Sequence, residues 1–392
     1  MTPAGPRSGD RLLGLDLLRA ASILPVLIGH LVISGQLRSG AGTSFLERFS
    51  RGHYGVCLFF VVSGFIISRT LLQRTRDPRT LSLRDFYARR IGRLAPLAVV
   101  VLLAGAVLYL SGGGGGGRAL VVDGPGAKFD GWFAISFPAL SFNILRVARF
   151  STAPGWGVWW DVFWSLAIEE QFYLLYPLLL RRFGTGRRMV GILLAVVVAG
   201  FGFAAIATHV DAGNVWLALL ASPPGFALLA MGCLLALAVD RRPIHLPPFA
   251  AAATIGAAGA GVLFAFRSAD LNEGGIVLMW GPMLVGIGGV LAIIGLLQLP
   301  DDNRALAAIA FPGELSYGMY LLHGAVLLAL WPLLPHLPPL VAFATFAAVV
   351  FAVAFVCPPA VVRPVNRWIR GRLRPWVERA PSAAPLAAET IT

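Results

Sequence analysis

Residues 12–34 read LLGLDLLRAASILPVLIGHLVIS, and this stretch decides how the rest of the chain is interpreted. A helix of such length crosses a hydrocarbon layer of about 30 Å. Three ionisable residues, Asp16, Arg19 and His30, interrupt the apolar run. A charged side chain at membrane depth costs about 2.5–3.5 kcal/mol on insertion scales, unless it faces something polar. The stretch therefore predicts a membrane-spanning helix that forms one wall of a polar site.

Arg19 and His30 lie on the same face of this predicted helix. Eleven residues correspond to three turns plus about 20°, which places the two side chains roughly 16 Å apart. A cleaved signal peptide would have a shorter apolar core without charges. Arg19 is long enough to reach the headgroups instead, whereas His30 is too short to do so. We therefore expect His30 to face a site, with Asp16 on nearly the same face and Pro25 as a source of kinking.

The composition excludes a soluble globular domain. Hydrophobic residues make up 57% of the 392 residues and charged residues 13%, with a mean hydropathy of +0.76, which is typical of a polytopic membrane protein. The three cysteines, Cys57, Cys233 and Cys357, lie in apolar runs and form no C-x-x-C pair, so neither disulfides nor a metal site are indicated. The net charge of +13 is expected to mark cytoplasmic loops rather than nucleic-acid binding.

Ten apolar stretches predict ten membrane-spanning helices and an all-α fold. With both termini inside, 23 of the 32 Lys and Arg residues fall in cytoplasmic segments and 8 in outer ones, as the positive-inside rule requires. This predicts a cytoplasmic N-terminus at 1–11, a transmembrane domain at 12–362 and a basic cytoplasmic tail at 363–392, disordered after about residue 380. The apolar stretch 132–148 is too short to span, so a re-entrant and an interfacial position are both open. The predicted spans are 12–34, 54–73, 90–111, 158–181, 188–208, 215–239, 248–267, 276–299, 312–334 and 338–362.

The loop from Arg69 to Pro96 carries eight arginines. Positive-inside bias alone explains part of this excess. However, Arg90 and Arg93 follow an aromatic pair at the start of a predicted helix, where planar guanidinium groups could bind phosphates in a bidentate way. This favours an anionic substrate from the cytosol.

The fourth predicted span carries two carboxylates near mid-membrane, Glu169 and Glu170, within the motif WSLAIEEQFYLLYP. Buried carboxylates there need partners. Adjacent residues on a helix point about 100° apart, so the two cannot line one groove equally. Glu169 shares its face with Ser165, and we expect at least one glutamate to belong to a site.

The ninth predicted span carries a polar stripe on an otherwise apolar helix. Ser316, Tyr320 and His323 follow i, i+4, i+7 spacing, and Tyr317 adjoins them. A stripe of this kind can serve packing alone. Alternatively, the first, fourth and ninth spans present their histidines, hydroxyls, arginine and carboxylate to a common cavity, which Asp16 and Ser165 would also line.

Five motifs together resemble the acyltransferase 3 family of integral-membrane O-acyltransferases. They are LDLLRAASILPVLIGH, FFVVSGFIIS at 59–68, FYARRIGRLAP at 86–96, WSLAIEEQFYLLYP at 164–177 and LSYGMYLLH at 315–323. The resemblance covers nearly the whole chain. It implies a ten-helix core that transfers an acyl group, commonly acetyl from cytosolic acetyl-CoA, to hydroxyls of sugars, envelope polymers or natural products.

The resemblance also assigns residues. The family's R-x10-H motif corresponds to Arg19 and His30, its R-x-x-R motif to Arg90 and Arg93, and its membrane glutamates to Glu169 and Glu170. The family's E-[KR]-P segment has valine in its acidic position here, at Val362, so any function of that carboxylate is absent.

The chemistry of acyl transfer suits these residues. A thioester is already activated, so the protein must align donor and acceptor, take a proton from the hydroxyl and stabilise the oxyanion. We expect His30 to act as the general base, with Glu169 or Glu170 fixing its tautomer, and Arg19, Arg90 and Arg93 to bind the donor.

The interpretation implies acyl-CoA as co-substrate, no bound cofactor, and a hydroxyl-bearing acceptor. It places the chain as a multi-pass protein in a bacterial plasma (inner) membrane, and leaves its oligomeric state open. The alternative is a polytopic transporter of an acylated or anionic small molecule, since intramembrane histidines, glutamates and arginines also mark proton relays. Transporters commonly show paired halves, and the sequence contains no such pairing.

Overall fold

The computed structural model describes residues 12–35, 37, 42–75, 77–110, 135–150, 162–210, 217, 220–271 and 275–378. Within these ranges the chain is helical, with two short 3₁₀ turns at Pro78–Thr80 and Leu334–His336 and no strand. The helices are α1 (Leu13–Ile33), α2 (Thr43–Arg48), α3 (Gly52–Arg74), α4 (Leu83–Leu110), α5 (Phe142–Phe150), α6 (Phe163–Phe183), α7 (Arg187–Val210), α8 (Ser222–Arg241), α9 (Pro248–Leu271), α10 (Gly275–Leu296), α11 (Arg304–Leu330) and α12 (Pro339–Glu378).

The all-α polytopic fold class is confirmed. Each of the ten predicted spans overlaps one helix of at least 20 residues, and eight helices among the described residues are long and apolar enough to cross a membrane. The number of spans and the orientation stay predictions. α4 begins at Leu83, α11 begins at Arg304 and α12 continues to Glu378, since arginine is a good helix former and a helix need not end where its apolar part ends.

Helix α3 lies at the centre of the bundle and packs against α1, α8 and α10. Its crossing with α8 depends on two glycines. A Cβ atom on Gly64 would collide with the carbonyl of Leu229, and one on Gly232 would collide with the carbonyl of Val61. The Cys233 thiol donates to the Gly64 carbonyl across the same crossing, at 3.3 Å. Small residues thus allow a close backbone approach, the usual packing solution inside a membrane.

Helices α1 and α11 also touch at a glycine. Gly313 lies directly against the backbone of Asp16, with no space for a Cβ atom. Arg19 and Ser316 each follow this contact by three residues. The start of α1 is capped by Asp301, whose carboxylate accepts a hydrogen bond from the Leu13 amide at 3.0 Å. A carboxylate is favourable at the positive end of a helix dipole, which gives the acidic loop before α11 a structural purpose.

The described part of the short apolar stretch, residues 135–148, forms a turn followed by α5. Its buried Asn143 donates to the Ser222 hydroxyl at 3.0 Å, and Gln171 of α6 donates to the Asn143 side chain at 2.9 Å and to the Leu140 carbonyl at 2.5 Å. Leu140 has a φ of 52°, a left-handed conformation that is strained for leucine. The network therefore fixes a strained turn against α6. Residues 132–134 lie outside the described part.

Candidate active site

A cavity between α1, α3, α4, α6 and α11 consists of two adjoining chambers. We call the first, of about 160 Å³, the arginine chamber; its distinguishing polar residues are Arg90, Arg93 and Thr70. We call the second, of about 90 Å³, the hydroxyl chamber; its distinguishing polar residues are Ser165, Ser316 and Tyr320. Four residues line both chambers, namely Arg19, Ser63, Glu169 and Tyr317.

The cavity runs along α3. Val56 of this helix lines the hydroxyl chamber, and Thr70 lines the arginine chamber. These two residues are separated by about 21 Å of helix. The cavity is therefore long and narrow, and it is cationic near Thr70 and lined by hydroxyls near Val56. Ser63, which lines both chambers, belongs to the motif FFVVSGFIIS, but the sequence pattern alone assigns it no role in a site.

Arg90 is engaged by the two glutamates. Its Nε donates to both carboxylate oxygens of Glu170, at 2.9 and 3.1 Å, and its Nη2 lies 2.7 Å from Glu170 and 4.0 Å from Glu169. The guanidinium carbon stacks 3.5 Å from the ring centroid of Tyr173. All three charged side chains are about four-fifths buried. This is a fork-like, charge-assisted pair, so much of the charge of Arg90 is already balanced.

Arg93 is in a different situation from Arg90, one helical turn further along α4. It is exposed and lines the arginine chamber. Arg19 lines the same chamber and pairs with Asp16, with 3.6 Å between Nη1 and Oδ1. The two arginines that the sequence grouped as donor-binding residues, Arg90 and Arg93, thus have different surroundings.

The two glutamates face different spaces, as their 100° separation on a helix implies. Glu169 lines both chambers. Glu170 lines a separate side cavity of about 350 Å³, between α4, α6 and the turn before α5. That side cavity is mostly apolar, and Arg90, Leu94 and Tyr173 form the wall between it and the arginine chamber.

Three polar residues of α11, Ser316, Tyr317 and Tyr320, line the hydroxyl chamber. The Ser316 side chain is fully buried, and its hydroxyl has no hydrogen-bond partner among the described residues. The Tyr320 hydroxyl lies 2.5 Å from the Ser165 hydroxyl, and the Tyr317 hydroxyl donates to the Leu94 carbonyl at 2.7 Å. Ser316 and Tyr320 of the stripe thus lie with Ser165 of α6 around one cavity, whereas His323 lies outside its lining.

The two histidines lie together beyond the hydroxyl chamber. The ring centroids of His30 and His323 are 4.6 Å apart, and the ring of Tyr320 is 5.8 Å from that of His323. Neither histidine is part of either chamber's lining. The two glutamates lie near the arginines instead. Both are within 4.0 Å of Arg90, and Glu169 lines both chambers together with Arg19. Sequence reasoning placed a glutamate beside His30, whereas the structure places His323 there.

Comparison with known proteins identifies the class to which this framework belongs. A family model described as an acyltransferase domain, acyltransferase 3, matches residues 12–357. The chain therefore belongs to the acyltransferase 3 family, and its long apolar helices are those of a multi-pass membrane protein.

Two similar proteins are the O-acetyltransferases OatA from Staphylococcus aureus strains NCTC 8325 and COL. Each is 30% identical to this chain over 229 residues, which is 57% of this chain and 34% of the OatA protein. The chain thus matches about a third of the length of these relatives. No solved structure matches it.

Proposed function

We propose that the protein is a membrane O-acyltransferase that moves an acyl group, specifically acetyl, from cytosolic acyl-CoA to a hydroxyl of a sugar, an envelope glycan or a natural product. The observation that carries the proposal is the long cavity, which is cationic at the Arg93 end and lined by hydroxyls at the Tyr320 end. Similarity to proteins named O-acetyltransferases supports acetyl as the group transferred.

The donor would enter at the arginine chamber. Arg93 and Arg19 would bind the phosphates of CoA, since guanidinium groups suit phosphate oxygens. The pantetheine arm would then extend past Ser316 and Tyr320 toward the histidines. The roughly 16 Å between Arg19 and His30 along α1 matches an extended arm of this kind. Glu169, which lines both chambers, would keep Arg19 and Arg90 in place.

His30 would act as the general base. The Nδ1 atom of His30 lies 2.9 Å from the Val26 carbonyl, and a carbonyl only accepts hydrogen bonds, so Nδ1 carries the proton and Nε2 is the basic atom. In the proposed reaction Nε2 takes the proton of the acceptor hydroxyl while its oxygen attacks the thioester carbonyl. The C–S bond then breaks, and the leaving thiolate takes the proton from His30. Acyl-CoA and an alcohol thus become an ester and CoA.

The proposal places both termini in the cytosol and the chain in the plasma membrane. The support for this orientation is the distribution of basic residues, since it puts 23 of them inside and 8 outside, as the positive-inside rule requires. The Arg93 end of the cavity then opens toward the cytosol, where acyl-CoA is found.

The proposal is tested with purified protein in lipid nanodiscs. Radiolabelled acetyl-CoA is supplied with a panel of hydroxyl acceptors, from simple hexoses to isolated envelope polysaccharides, and both free CoA and labelled product are measured. We expect CoA release that depends on an acceptor and is lost in His30→Ala. Tyr176→Phe, which removes a buried hydrogen bond to Ser68 outside both chambers, serves as a matched control.

The same preparation distinguishes the transporter alternative. In proteoliposomes, a transporter would accumulate label inside the vesicles without cleaving the thioester. Uptake without CoA release would refute acyl transfer.

A further inference from the structure

His323 is a buried titratable group that the proposed reaction does not yet use. It lies on α11, its side chain is fully buried, and its ring packs against that of His30 on α1. The contact between Gly313 and Asp16 brings these two helices together at the other end of the cavity. The position of His323 beside the motif histidine therefore follows from the same helix pairing that builds the site.

The hydrogen bonds of His323 fix its tautomer. Its Nδ1 lies 2.6 Å from the carbonyl oxygen of Tyr320, so this nitrogen carries the proton. The Nε2 atom consequently has a free lone pair. It is buried and has no hydrogen-bond partner among the described residues. A buried acceptor without a donor is destabilising and rare in native proteins, and such an atom calls for a functional explanation.

His30 needs a partner when it becomes positively charged. An imidazolium formed inside a membrane protein is unfavourable unless nearby lone pairs or negative charges stabilise it. A carboxylate often has this function, but Glu170 forms its hydrogen bonds with Arg90. Glu169 lines the chambers together with Arg19, and Arg19 precedes His30 on α1 by about 16 Å of helix. His323 is in ring contact with His30, with 4.6 Å between the ring centroids.

We propose that His323 is the positioning residue for the base, and that its unpartnered Nε2 stabilises the positive charge that His30 gains during acyl transfer. This rests on the proposed function. The proton from the acceptor hydroxyl goes to His30 Nε2, and the lone pair of His323 Nε2 interacts with the resulting imidazolium. The proton then passes to the CoA thiolate, so His323 begins and ends the cycle as the same neutral tautomer.

The test compares two substitutions of similar polarity. His323→Gln keeps an acceptor oxygen near the position of Nε2, whereas the shorter side chain of His323→Asn reaches only the position of Nδ1. We expect Asn to lower kcat by about 10- to 10²-fold, a part of what general-base catalysis supplies, with the KM for acetyl-CoA unchanged. Gln should recover much of this loss. Tyr176→Phe again reports the general cost of removing a buried hydrogen bond.

Two further readouts separate this function from a packing function. Adding His323→Asn to His30→Ala should lower the residual rate no further, because residue 30 then gains no positive charge for residue 323 to stabilise. In mixtures of H₂O and D₂O, the dependence of kcat on solvent deuterium should change in His323→Asn and stay unchanged in Tyr176→Phe. Melting temperature and acetyl-CoA binding are measured for every variant.

Equal kcat in His323→Asn and the wild type would overturn the inference, and so would an Asn and a Gln variant that are equally slow. A full additive loss in the double variant would assign His323 to packing. If the wild-type protein releases no CoA at all, the proposed function itself fails. If it does, and only His30→Ala is inactive, the proposed function stands and this inference falls.

Discussion

Arg90 and Arg93 are three residues apart in one motif, yet the structure predicts opposite consequences for their loss. Arg90→Ala would remove the partner of Glu170, which forms hydrogen bonds of 2.9 and 3.1 Å with Nε and lies 2.7 Å from Nη2. Breaking a buried ion pair by removing one partner typically costs about 3–5 kcal/mol, because the remaining charge is uncompensated. Arg93 is exposed, and removing a surface charge usually changes stability by less than about 0.5 kcal/mol.

For donor binding the order of the two substitutions should be reversed, with the larger effect in Arg93→Ala. If Arg93 binds a phosphate of CoA, its loss removes a charge-assisted hydrogen bond worth about 1.5–3 kcal/mol. At about 1.4 kcal/mol per tenfold change, this raises the KM for acetyl-CoA by about 10- to 10²-fold. Acetyl-pantetheine lacks the nucleotide phosphates, so its KM should not change in Arg93→Ala.

The assay combines thermal unfolding in detergent with steady-state kinetics on both donors. Arg90→Ala should unfold at a clearly lower temperature, and Glu170→Gln in the same chain should restore part of the loss by removing the unpaired charge. An Arg90→Ala protein as stable as Arg93→Ala would refute the assignment of Arg90 to the glutamates. An unchanged acetyl-CoA KM in Arg93→Ala would refute its assignment to the donor.

Three further predictions follow from the site and the fold. His30→Ala should lose about 10²- to 10⁴-fold in turnover while still binding acetyl-CoA, and labelled donor without acceptor should leave no label on the wild-type protein, whereas label on His30 would indicate a two-step route. A cysteine at Gly115 should react with an impermeant reagent from outside, while a tag after Thr392 stays protected; the reverse result would overturn the orientation. Gly64→Val should prevent stable assembly, because its side chain would meet the Leu229 carbonyl, and normal yield and melting temperature would contradict the packing described for α3 and α8.

Helical periodicity was sufficient to anticipate the features that depend on one helix at a time. Each of the ten apolar stretches overlaps one long helix, and the common facing of Ser316 and Tyr320 follows from their spacing on α11. The division between Glu169 and Glu170 likewise follows from the angle between adjacent residues. In each case the feature depends only on the 100° rotation per residue within a few turns of one helix, so the sequence alone is enough to predict it.

Features that depend on two distant segments could not be anticipated in the same way. Arg90 and Glu170 are 80 residues apart, and nothing in either motif shows that they pair. The contact of His30 with His323 and the network of Gln171 with Asn143 also join separate helices, and neither motif alone shows that they meet. Periodicity gives the direction of a side chain from its own helix axis, but the rotation and depth of the opposing helix are set by backbone contacts such as that of Gly313 with Asp16.

The wall between the arginine chamber and the apolar side cavity has a consequence for the membrane as an electrical insulator. That wall includes Arg90, Leu94 and Tyr173, so over part of its area one stacked guanidinium and one ring separate a polar space from a hydrocarbon-like one. A protein that opens a polar passage deep into the bilayer must still prevent protons and ions from leaking down their gradients. The ion pairs of Arg90 with Glu170 and Glu169 hold its guanidinium on the ring of Tyr173, so the separation of the two spaces at this point depends on these few contacts.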